Sequence, residues 1–389
     1  MADLPAAWRA GPTPTEPQML DENLETLRTP LHAVHTGAGA TMTSFAGWEM
    51  PLRYTSDLAE HAVVRRRAGL FDLSHMGQIE ISGPGAAAGL DHALVTRPSS
   101  MPVGRARYSM MVAQDGGILD DLIVYRLAET DYLVVANAAN RTVVLDELTA
   151  RSGEQVHVAD RTTARALIAV QGPASPRVLA AVTTLEDGAR PDELRYYTAR
   201  SGTVAGVPAL VARTGYTGET GFEISVPAPS AAAVWQALSV AGESEGLQAC
   251  GLACRDTLRL EAGMPLYGHE LRRDITPDEA GQGRLVDLDH DFVGRDALVA
   301  RRQAPTGIAL VGLVGEGRRA ARAGSTLHDD TGQIGTVTSG VLAPTLGHPI
   351  AMALADATRV TTGTSLQVEV RGRRQPMTVV DLPFYRRPR

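Results

Sequence analysis

A strand, a glycine-proline turn and a helix follow one another twice in this sequence of 389 residues. Residues 78–81 alternate polar and apolar side chains, as a half-buried strand does. They lead into a turn at 82–85 and a helix rich in Ala and Leu that ends at Leu94. Residues 167–170 begin the same plan 89 residues later, with a helix that ends at Val182. The repeat predicts two related halves of the α+β class.

Further apolar runs predict the remaining strands of the two halves, at 118–125, 132–136, 204–213 and 222–226. Residues 231–241 have helical periodicity. After residue 303 the pattern changes to short strand-like runs separated by Gly, Pro and Asp turns, at 308–314, 334–339, 351–355, 366–370 and 377–382. This spacing predicts a small β-barrel or sandwich.

These patterns divide the chain into three parts. Residues 1–28 are interrupted by prolines and are expected to form a weakly ordered N-terminal extension. Residues 29–303 are predicted to contain the two α+β halves, and residues 304–389 the C-terminal β-barrel domain.

The composition excludes several classes of protein. All 37 Lys or Arg side chains are arginine, so enzymes that need a lysine Schiff base or a P-loop lysine are excluded. The net charge of −7 argues against a general nucleic-acid binder, and no apolar run is long enough to span a membrane. The N-terminus lacks the features of a signal peptide, so we expect a cytoplasmic protein. Cys250 and Cys254 lack further ligands beside them, which favours buried thiols over a metal site.

Two adjacent carboxylates, Asp120 and Asp121, begin the apolar strand that follows the Gly116-Gly117 turn. Neighbouring residues of a strand point to opposite faces. One aspartate can therefore enter a pocket while the other faces water or caps a turn. The alternative is that both are turn-forming aspartates of a hairpin.

Two further segments carry candidate binding residues. Glu223 lies alone on its strand face between Phe222 and Ile224, where it can recognise a ring with N–H donors or simply face solvent. Arg255 and Arg259 share a helix face and suit carboxylates or polar ring edges, unless they form surface salt bridges.

The histidines form no metal-binding cluster, so no metal is expected. His75 could line a pocket, although a structural role is the simpler interpretation. The glycines at 83 and 85 lack the third glycine and the acidic residue of a dinucleotide site.

Taken together, these segments resemble the glycine cleavage T-protein family of aminomethyltransferases. The resemblance rests on the order and spacing of residues 45–48 (FAGW), 71–77 (FDLSHMG), 108–109 (YS), 116–121 (GGILDD), 215–219 (GYTGE), 255–263 (RDTLRLEAG) and 335–340 (GTVTSG). It extends from about residue 29 to residue 385. It implies a three-domain cloverleaf around a central folate site, with two α/β halves and a C-terminal β-barrel.

The resemblance also implies a reaction and a set of site residues. The methylene carbon passes from the aminomethylated lipoyl arm of H-protein to tetrahydrofolate, and ammonia is released. Asp121 matches the family's catalytic aspartate. The implied folate contacts are Tyr108, Asp121, Asn137, Tyr216, Glu223, Arg255 and Tyr385. The chain departs from the family at Thr220, Asp278 and Gln282, which we expect to lie away from the chemistry.

The chemistry of the transfer fits these residues, because a fixed carboxylate stabilises the positively charged, iminium-like species through which the carbon passes. A related folate-dependent demethylase and a non-catalytic folate-binding protein of the same superfamily remain alternatives. The chain has no lysine to carry a lipoyl arm, so the donor must arrive on another protein, H-protein. The candidate docking patches for this partner are residues 65–67 and Arg371 with residues 373–374, and the alternative for each is a solvated salt-bridge face.

Overall fold

A computed structural model describes residues 26–388. The predicted N-terminal extension therefore lies almost entirely outside the described residues. Its last two residues, Leu27 and Arg28, form a short parallel strand beside Trp48 and Glu49. No helix in residues 26–388 is long and apolar enough to cross a bilayer.

The first part of the chain alternates irregularly between strands and helices. Its elements are β1 (Leu27–Arg28), α1 (His32–Gly37), β2 (Thr41–Phe45), β3 (Trp48–Arg53), α2 (Asp57–Arg66), β4 (Ala68–Asp72), β5 (Gly77–Ser82), α3 (Ala86–Ala93), β6 (Ala106–Val112), β7 (Ile118–Arg126), β8 (Asp131–Ala136), α4 (Arg141–Arg151) and β9 (His157–Asp160). Five of these strands form a sheet in the order β6-β7-β8-β5-β9. Two further strands, β1 and β2, flank β3 in a small three-stranded sheet.

The second part contributes a larger sheet. Its elements are β10 (Arg165–Gln171), α5 (Ser175–Ala180), β11 (Thr183–Leu185), β12 (Ala199–Val204), β13 (Val207–Ala212), β14 (Gly221–Pro227), α6 (Ala231–Gly242), β15 (Leu247–Ala249), α7 (Leu252–Glu261) and α8 (Arg295–Gln303). The seven-stranded sheet has the order β11-β12-β13-β14-β10-β4-β15. The early strand β4 thus pairs with the later strand β10, which ties the two halves together.

One predicted strand was wrong. Residues 204–213 were expected to form a single strand, but the chain reverses between β12 and β13. The turn consists of Ala205 and Gly206, which both have positive φ angles of 51° and 78°. Because Val204 and Val207 directly flank the small residues of this two-residue turn, the apolar run in the sequence hides the reversal.

The two strand–Gly-Pro–helix units share their local geometry. Gly83 and Gly172 have φ angles of 116° and 127°, which side chains rarely adopt. A Cβ atom at Gly83 would lie 2.3 Å from the carbonyl oxygen of Gln155, and one at Gly172 would lie 2.5 Å from that of Arg67. Both units therefore require glycine for the same two reasons.

The C-terminal part is a barrel. Its strands are β16 (Ile308–Gly315), β17 (Thr326–Asp329), β18 (Gly332–Leu342), β19 (Pro349–Asp356), β20 (Ser365–Val370) and β21 (Arg373–Val380). They close in the order β16-β19-β18-β17-β20-β21, which confirms the barrel and not the sandwich. Strand β17 was not predicted, because its four residues carry only one large apolar side chain, Leu327, that is buried.

The position of the site follows from how the two sheets pack. In β10, Ile168 and Val170 face the core beneath the seven-stranded sheet, whereas Leu167 and Ala169 face the five-stranded sheet. The latter two residues pack in a cluster that includes Tyr125 and Val135 of the facing sheet. The space between the two sheets is therefore partly filled by this cluster and partly open as a cavity.

Candidate active site

A cavity of about 490 Å³ lies between the two sheets, and helix α7 and the segment after it form part of its wall. The lining residues that carry polar or aromatic groups are Phe45, His75, Tyr108, Asp121, Asn137, Tyr197, Tyr216, Glu223, Arg255, Asp256, Arg259, Tyr267, His269 and Gln282. The structure therefore brings together six of the seven predicted folate contacts. Tyr385 is the exception.

Asp121 is held by two neutral donors at the cavity wall. The Tyr108 hydroxyl donates to its Oδ2 at 3.0 Å, and the Asn137 amide Nδ2 donates to its Oδ1 at 2.7 Å. No arginine or histidine of the described residues forms an ion pair with this carboxylate. Burial raises the pKa of Asp121 to about 6, although both hydrogen bonds act to lower it. The site thus holds a negative charge that lacks a counterion.

The neighbouring Asp120 points away from the cavity and is completely buried. It neither faces water nor enters the pocket, and it caps the turn after β8. Its Oδ2 accepts from the backbone N–H of Asn137 at 3.0 Å. Its Oδ1 accepts from the Asn137 and Asn140 amides at 2.9 and 2.6 Å. Burial and, after it, the charge of Asp121 raise the pKa of Asp120 to about 8.

Glu223 and Arg255 supply complementary polar groups to the cavity. Glu223 is 7% exposed, so it does not face solvent, and Thr214 donates to its carboxylate at 2.5 Å. Arg255 lies with its guanidinium carbon 4.8 Å from the ring centroid of Tyr216. Its Nη1 is buried and has no hydrogen-bond partner among the described residues. The pair therefore offers an acceptor and a free donor to a polar ring.

The aromatic walls are positioned by the backbone around them. The Tyr216 hydroxyl donates to the carbonyl oxygen of Pro265, which fixes the ring against the segment after α7. Tyr197 also lines the cavity and was not predicted. Its φ angle of 58° is rare for a residue with a side chain, and it turns the chain into β12. The adjacent pair Tyr196 and Tyr197 is the signal in the sequence that could have indicated it.

For two other cavity residues, His75 and Gln282, the position in the structure differs from the one expected from the sequence. His75 lines the cavity, and burial lowers its pKa to about 4 against the opposing charge of Asp72. Its imidazole is therefore neutral near pH 7. Gln282 was expected to lie away from the chemistry, but it also lines the cavity, because residues 263–269 and Gln282 fold over the same opening. Asp278 does lie apart and pairs with Arg302 on the surface at 3.0 Å.

Tyr385 belongs to a different group of residues outside the cavity. Its hydroxyl donates to Glu219 at 2.8 Å, and the guanidinium carbon of Arg65 lies 4.0 Å from its ring centroid. Arg65 in turn pairs with Glu219 at 3.0 Å and with Glu261 at 2.9 Å. His61 is also within 3.2 Å of Glu261. We refer to Arg65, Glu219, Glu261 and His61 as the Arg65 cluster.

The Arg65 cluster corrects one predicted docking patch. The Arg65 side chain is only 6% exposed, so it cannot contact a partner protein as part of residues 65–67. Its neighbours Arg66 and Arg67 are exposed, as are Arg371, Arg373 and Arg374. Successive side chains of a helix point to different faces, and Arg65 lies on the inner face of α2. Its burial therefore differs from that of its neighbours in the sequence.

The thiols also have a structural explanation. Glu60, Cys250 and Cys254 place potential ligand atoms within 4.8 Å of one another. The Glu60 carboxylate, however, already accepts backbone N–H groups from Tyr54, Thr55 and Gly251 at 2.7–2.9 Å. Burial raises the pKa of the Cys254 thiol. This group holds the start of α7 in place and does not resemble an open metal site.

Comparison with family models agrees with this architecture. Residues 31–290 match the model described as the GCVT N-terminal domain, and residues 309–386 match the glycine cleavage T-protein C-terminal barrel domain. Together these two matches extend over nearly all of the described chain.

Curated relatives and a solved structure are similar to this chain over nearly their full length. An aminomethyltransferase of Streptomyces avermitilis is 57% identical over 92% of this chain and 97% of its own length. An aminomethyltransferase of Cutibacterium acnes is 55% identical over 92% and 98%, respectively. The crystal structure of glycine cleavage system aminomethyltransferase T from Bartonella henselae is 37% identical, with a TM-score of 0.86, over 93% of this chain and 99% of that one.

Proposed function

Because the chain belongs to the glycine cleavage T-protein family and is a folate-dependent aminomethyltransferase, we propose that its cavity performs the transfer with Asp121 as the catalytic residue. The observation that carries this proposal is the Asp121 carboxylate, which lines the cavity without an ion-pair partner among residues 26–388. Asp121 is half-buried, and a carboxylate that is partly withdrawn from water in this way is costly until a positive charge forms beside it.

The transfer creates such a charge. The C–S bond of the S–CH2–NH3+ donor breaks as the carbon bonds to N5 of tetrahydrofolate, and the N5 proton goes to the dihydrolipoyl sulfur, which is released as the thiol. Loss of ammonia from the carbon then leaves an iminium cation at N5, and N10 bonds to this carbon and releases its own proton. A carboxylate that is already oriented by Tyr108 and Asn137 stabilises this cation without reorganising during the reaction. Asp121 therefore acts through its charge and its orientation and does not need to remove a proton itself.

Glu223 and Arg255 are proposed to bind the pteridine ring of tetrahydrofolate. The Glu223 carboxylate can accept hydrogen bonds from the N–H and amino groups of the ring. The Arg255 Nη1, which has no partner among residues 26–388, can donate to the ring's acceptors. Tyr216 and Tyr108 supply further folate contacts from the same cavity, and Asn137 lies beside Asp121. Tyr385 is not part of this proposal, because its hydroxyl is bound to Glu219 outside the cavity.

The donor is proposed to be H-protein, which carries the lipoyl arm that this lysine-free chain cannot supply. The exposed arginines 66, 67, 371, 373 and 374 are the candidate docking residues. A net charge of −7 cannot attract an acidic partner, so docking would need such a local basic surface. We place the reaction in the cytoplasm.

The proposed function is tested by measuring ammonia release from aminomethylated H-protein in the presence and absence of tetrahydrofolate. We expect release that depends strongly on tetrahydrofolate and is accompanied by 5,10-methylenetetrahydrofolate. Release at the same rate without folate, or folate binding without any release, would contradict the proposal.

A further inference from the structure

Asp120 and Asn140 lie behind the cavity wall and make no contact with the cavity itself. They nevertheless connect directly to the residues that hold Asp121. Asn140 is 9% exposed, and the hydrogen bond assigned to its amide is the one to Asp120 Oδ1 at 2.6 Å. At this length the bond is shorter than most N–H···O hydrogen bonds of proteins.

The register of the sheet explains why these groups meet. In the pairing of β7 with β8, Leu122 lies opposite Ala136, so Asp121 comes level with Asn137 at the end of β8. The chain then turns through residues 138–140 before α4 begins at Arg141. Asn137 and Asn140 are thereby brought to the two adjacent carboxylates from one short turn.

The Asn137 amide bridges the two carboxylates. Its Nδ2 lies 2.9 Å from Asp120 Oδ1, 2.7 Å from Asp121 Oδ1 and 3.0 Å from the carbonyl oxygen of Asp121. An amide has only two hydrogens, so its orientation is set by the carboxylate oxygens that compete for them. Any movement of Asp120 therefore changes how Asn137 donates to Asp121.

Within residues 26–388, Asp120 has three hydrogen-bond donors and no cationic partner. The backbone N–H of Asn137 fixes Oδ2, and the two amides fix Oδ1. Removing the Asn140 donor would leave the buried Asp120 carboxyl group with fewer hydrogen bonds. The smallest rearrangement that compensates for this loss is a movement of the Asn137 amide toward Asp120. The Asp121 carboxylate would lose its orientation as a result.

We propose that Asp120 and Asn140 are positioning residues for the transfer reaction, because they clamp the Asn137 amide that orients the catalytic carboxylate of Asp121. The inference rests on the proposed role of Asp121. It predicts that Asn140, which touches neither the cavity nor Asp121, affects turnover only through Asp121.

A double-mutant cycle tests this route. The four proteins are the wild type, Asn140→Leu, Asp121→Asn and the double variant, with kcat measured at saturating folate and donor. We expect Asn140→Leu to lower kcat about tenfold, as for outer-shell groups that orient metal ligands. In the Asp121→Asn background the same change should alter kcat by less than about twofold. The dissociation constant for tetrahydrofolate should change by less than about twofold as well, because Glu223 and Arg255 are untouched.

Two controls separate positioning from loss of fold. Thr96→Val removes another buried hydrogen bond, from Thr96 to Ser109 at 2.8 Å, and should lower Tm without changing kcat. If Asn140→Leu does not fold, Asn140→Asp has the same shape and replaces the donor by an acceptor. Its kcat should fall at least as far as expected for the leucine variant.

The outcomes distinguish the inference from the proposed function. Normal turnover of Asp121→Asn would overturn the proposed function, and the inference with it. If Asp121→Asn is impaired but Asn140→Leu keeps its kcat, the inference alone is wrong. It is also wrong if Asn140→Leu lowers kcat by the same factor in both backgrounds.

Discussion

The Arg65 cluster and the cavity both hold acidic side chains that are largely withdrawn from water, but the side chains have different partners in the two places. In the Arg65 cluster, Glu261 accepts hydrogen bonds from Arg65 and the backbone of Thr345, and His61 lies within 3.2 Å. Burial acts to raise the pKa of Glu261, but the interactions with His61 and Thr345 outweigh it and lower the pKa to about 2. At the cavity, Asp121 has only neutral donors, and its pKa is raised to about 6.

These different partners indicate different roles for the Arg65 cluster and for Asp121. In the Arg65 cluster both glutamates pair with the arginine, and the cluster joins α2 and α7 to Thr345 of the barrel part and to the C-terminal Tyr385. It therefore stabilises the fold and offers no charge to a ligand. Asp121 keeps its charge available at the cavity, where a cation formed during the transfer can neutralise it.

The largest effect should come from breaking the Arg65 cluster. Arg65→Met removes the guanidinium that pairs with Glu219 and Glu261 and leaves two buried carboxylates without this partner. We expect the free energy of unfolding to fall by about 3–5 kcal/mol, as for other buried pairs that lose one member. Denaturant unfolding measures this loss, with the exposed Arg318→Met as the control. A loss no greater than that of the control would mean that the cluster does not stabilise the fold.

Asp121→Asn should have the opposite character. The variant keeps the shape of the side chain but loses its charge. The activation free energy of the transfer should therefore rise by about 2.7–4 kcal/mol, and turnover should fall accordingly, while folate still binds. Steady-state kinetics and equilibrium folate binding measure the two quantities. Asp131→Asn, at the exposed start of β8, is the matched control and should keep full turnover. Near-normal turnover of Asp121→Asn would contradict the distinction between a catalytic charge at the cavity and structural charges in the Arg65 cluster.

Glu223→Ala separates binding from chemistry within the cavity. The loss of one partner in a buried polar contact costs about 1–3 kcal/mol, so the dissociation constant for tetrahydrofolate should rise about tenfold or more. Calorimetric titration measures the constant. An unchanged value would exclude Glu223 from pteridine binding.

The pH dependence of activity should give the smallest effect. Asp121 must be ionised to stabilise a cation, so kcat/KM should fall as the pH drops through about 6, the raised pKa of its carboxyl group. The Tyr108 hydroxyl donates to the ionised form and lowers this pKa. In Tyr108→Phe the acidic limb should therefore move to higher pH. A limb that stays in place or moves to lower pH would show that another group controls the profile.

The sequence allowed prediction wherever local alternation determines the position of a side chain. Asp120 and Asp121 lie in a regular strand, so alternation predicted that they point to opposite faces, and the family resemblance indicated Asp121 as the member in the pocket. Alternation likewise separated Glu223 from Phe222 and Ile224. The spacing of the turns predicted a small barrel or sandwich, although the short strand β17 was missed. These features depend on residues that are close together in the chain.

The remaining features depend on contacts between distant segments. Arg65 was interpreted as part of a basic surface because its neighbours in the sequence are arginines, whereas its partner Glu261 lies 196 residues away. Gln282 and Tyr197 reach the cavity because of the folding of the segment after α7 and of a residue with positive φ. Tyr385 could be placed only once the barrel was seen to bring the C-terminal residues back beside Glu219.

A crystal structure of the wild-type protein with bound tetrahydrofolate tests the central claim most directly. The account predicts that the pteridine lies against Glu223 and Arg255 and that the Asp121 carboxylate is within hydrogen-bonding distance of a nitrogen of the reduced folate. Folate bound outside the cavity, or an Asp121 carboxylate that turns away from it, would contradict the account.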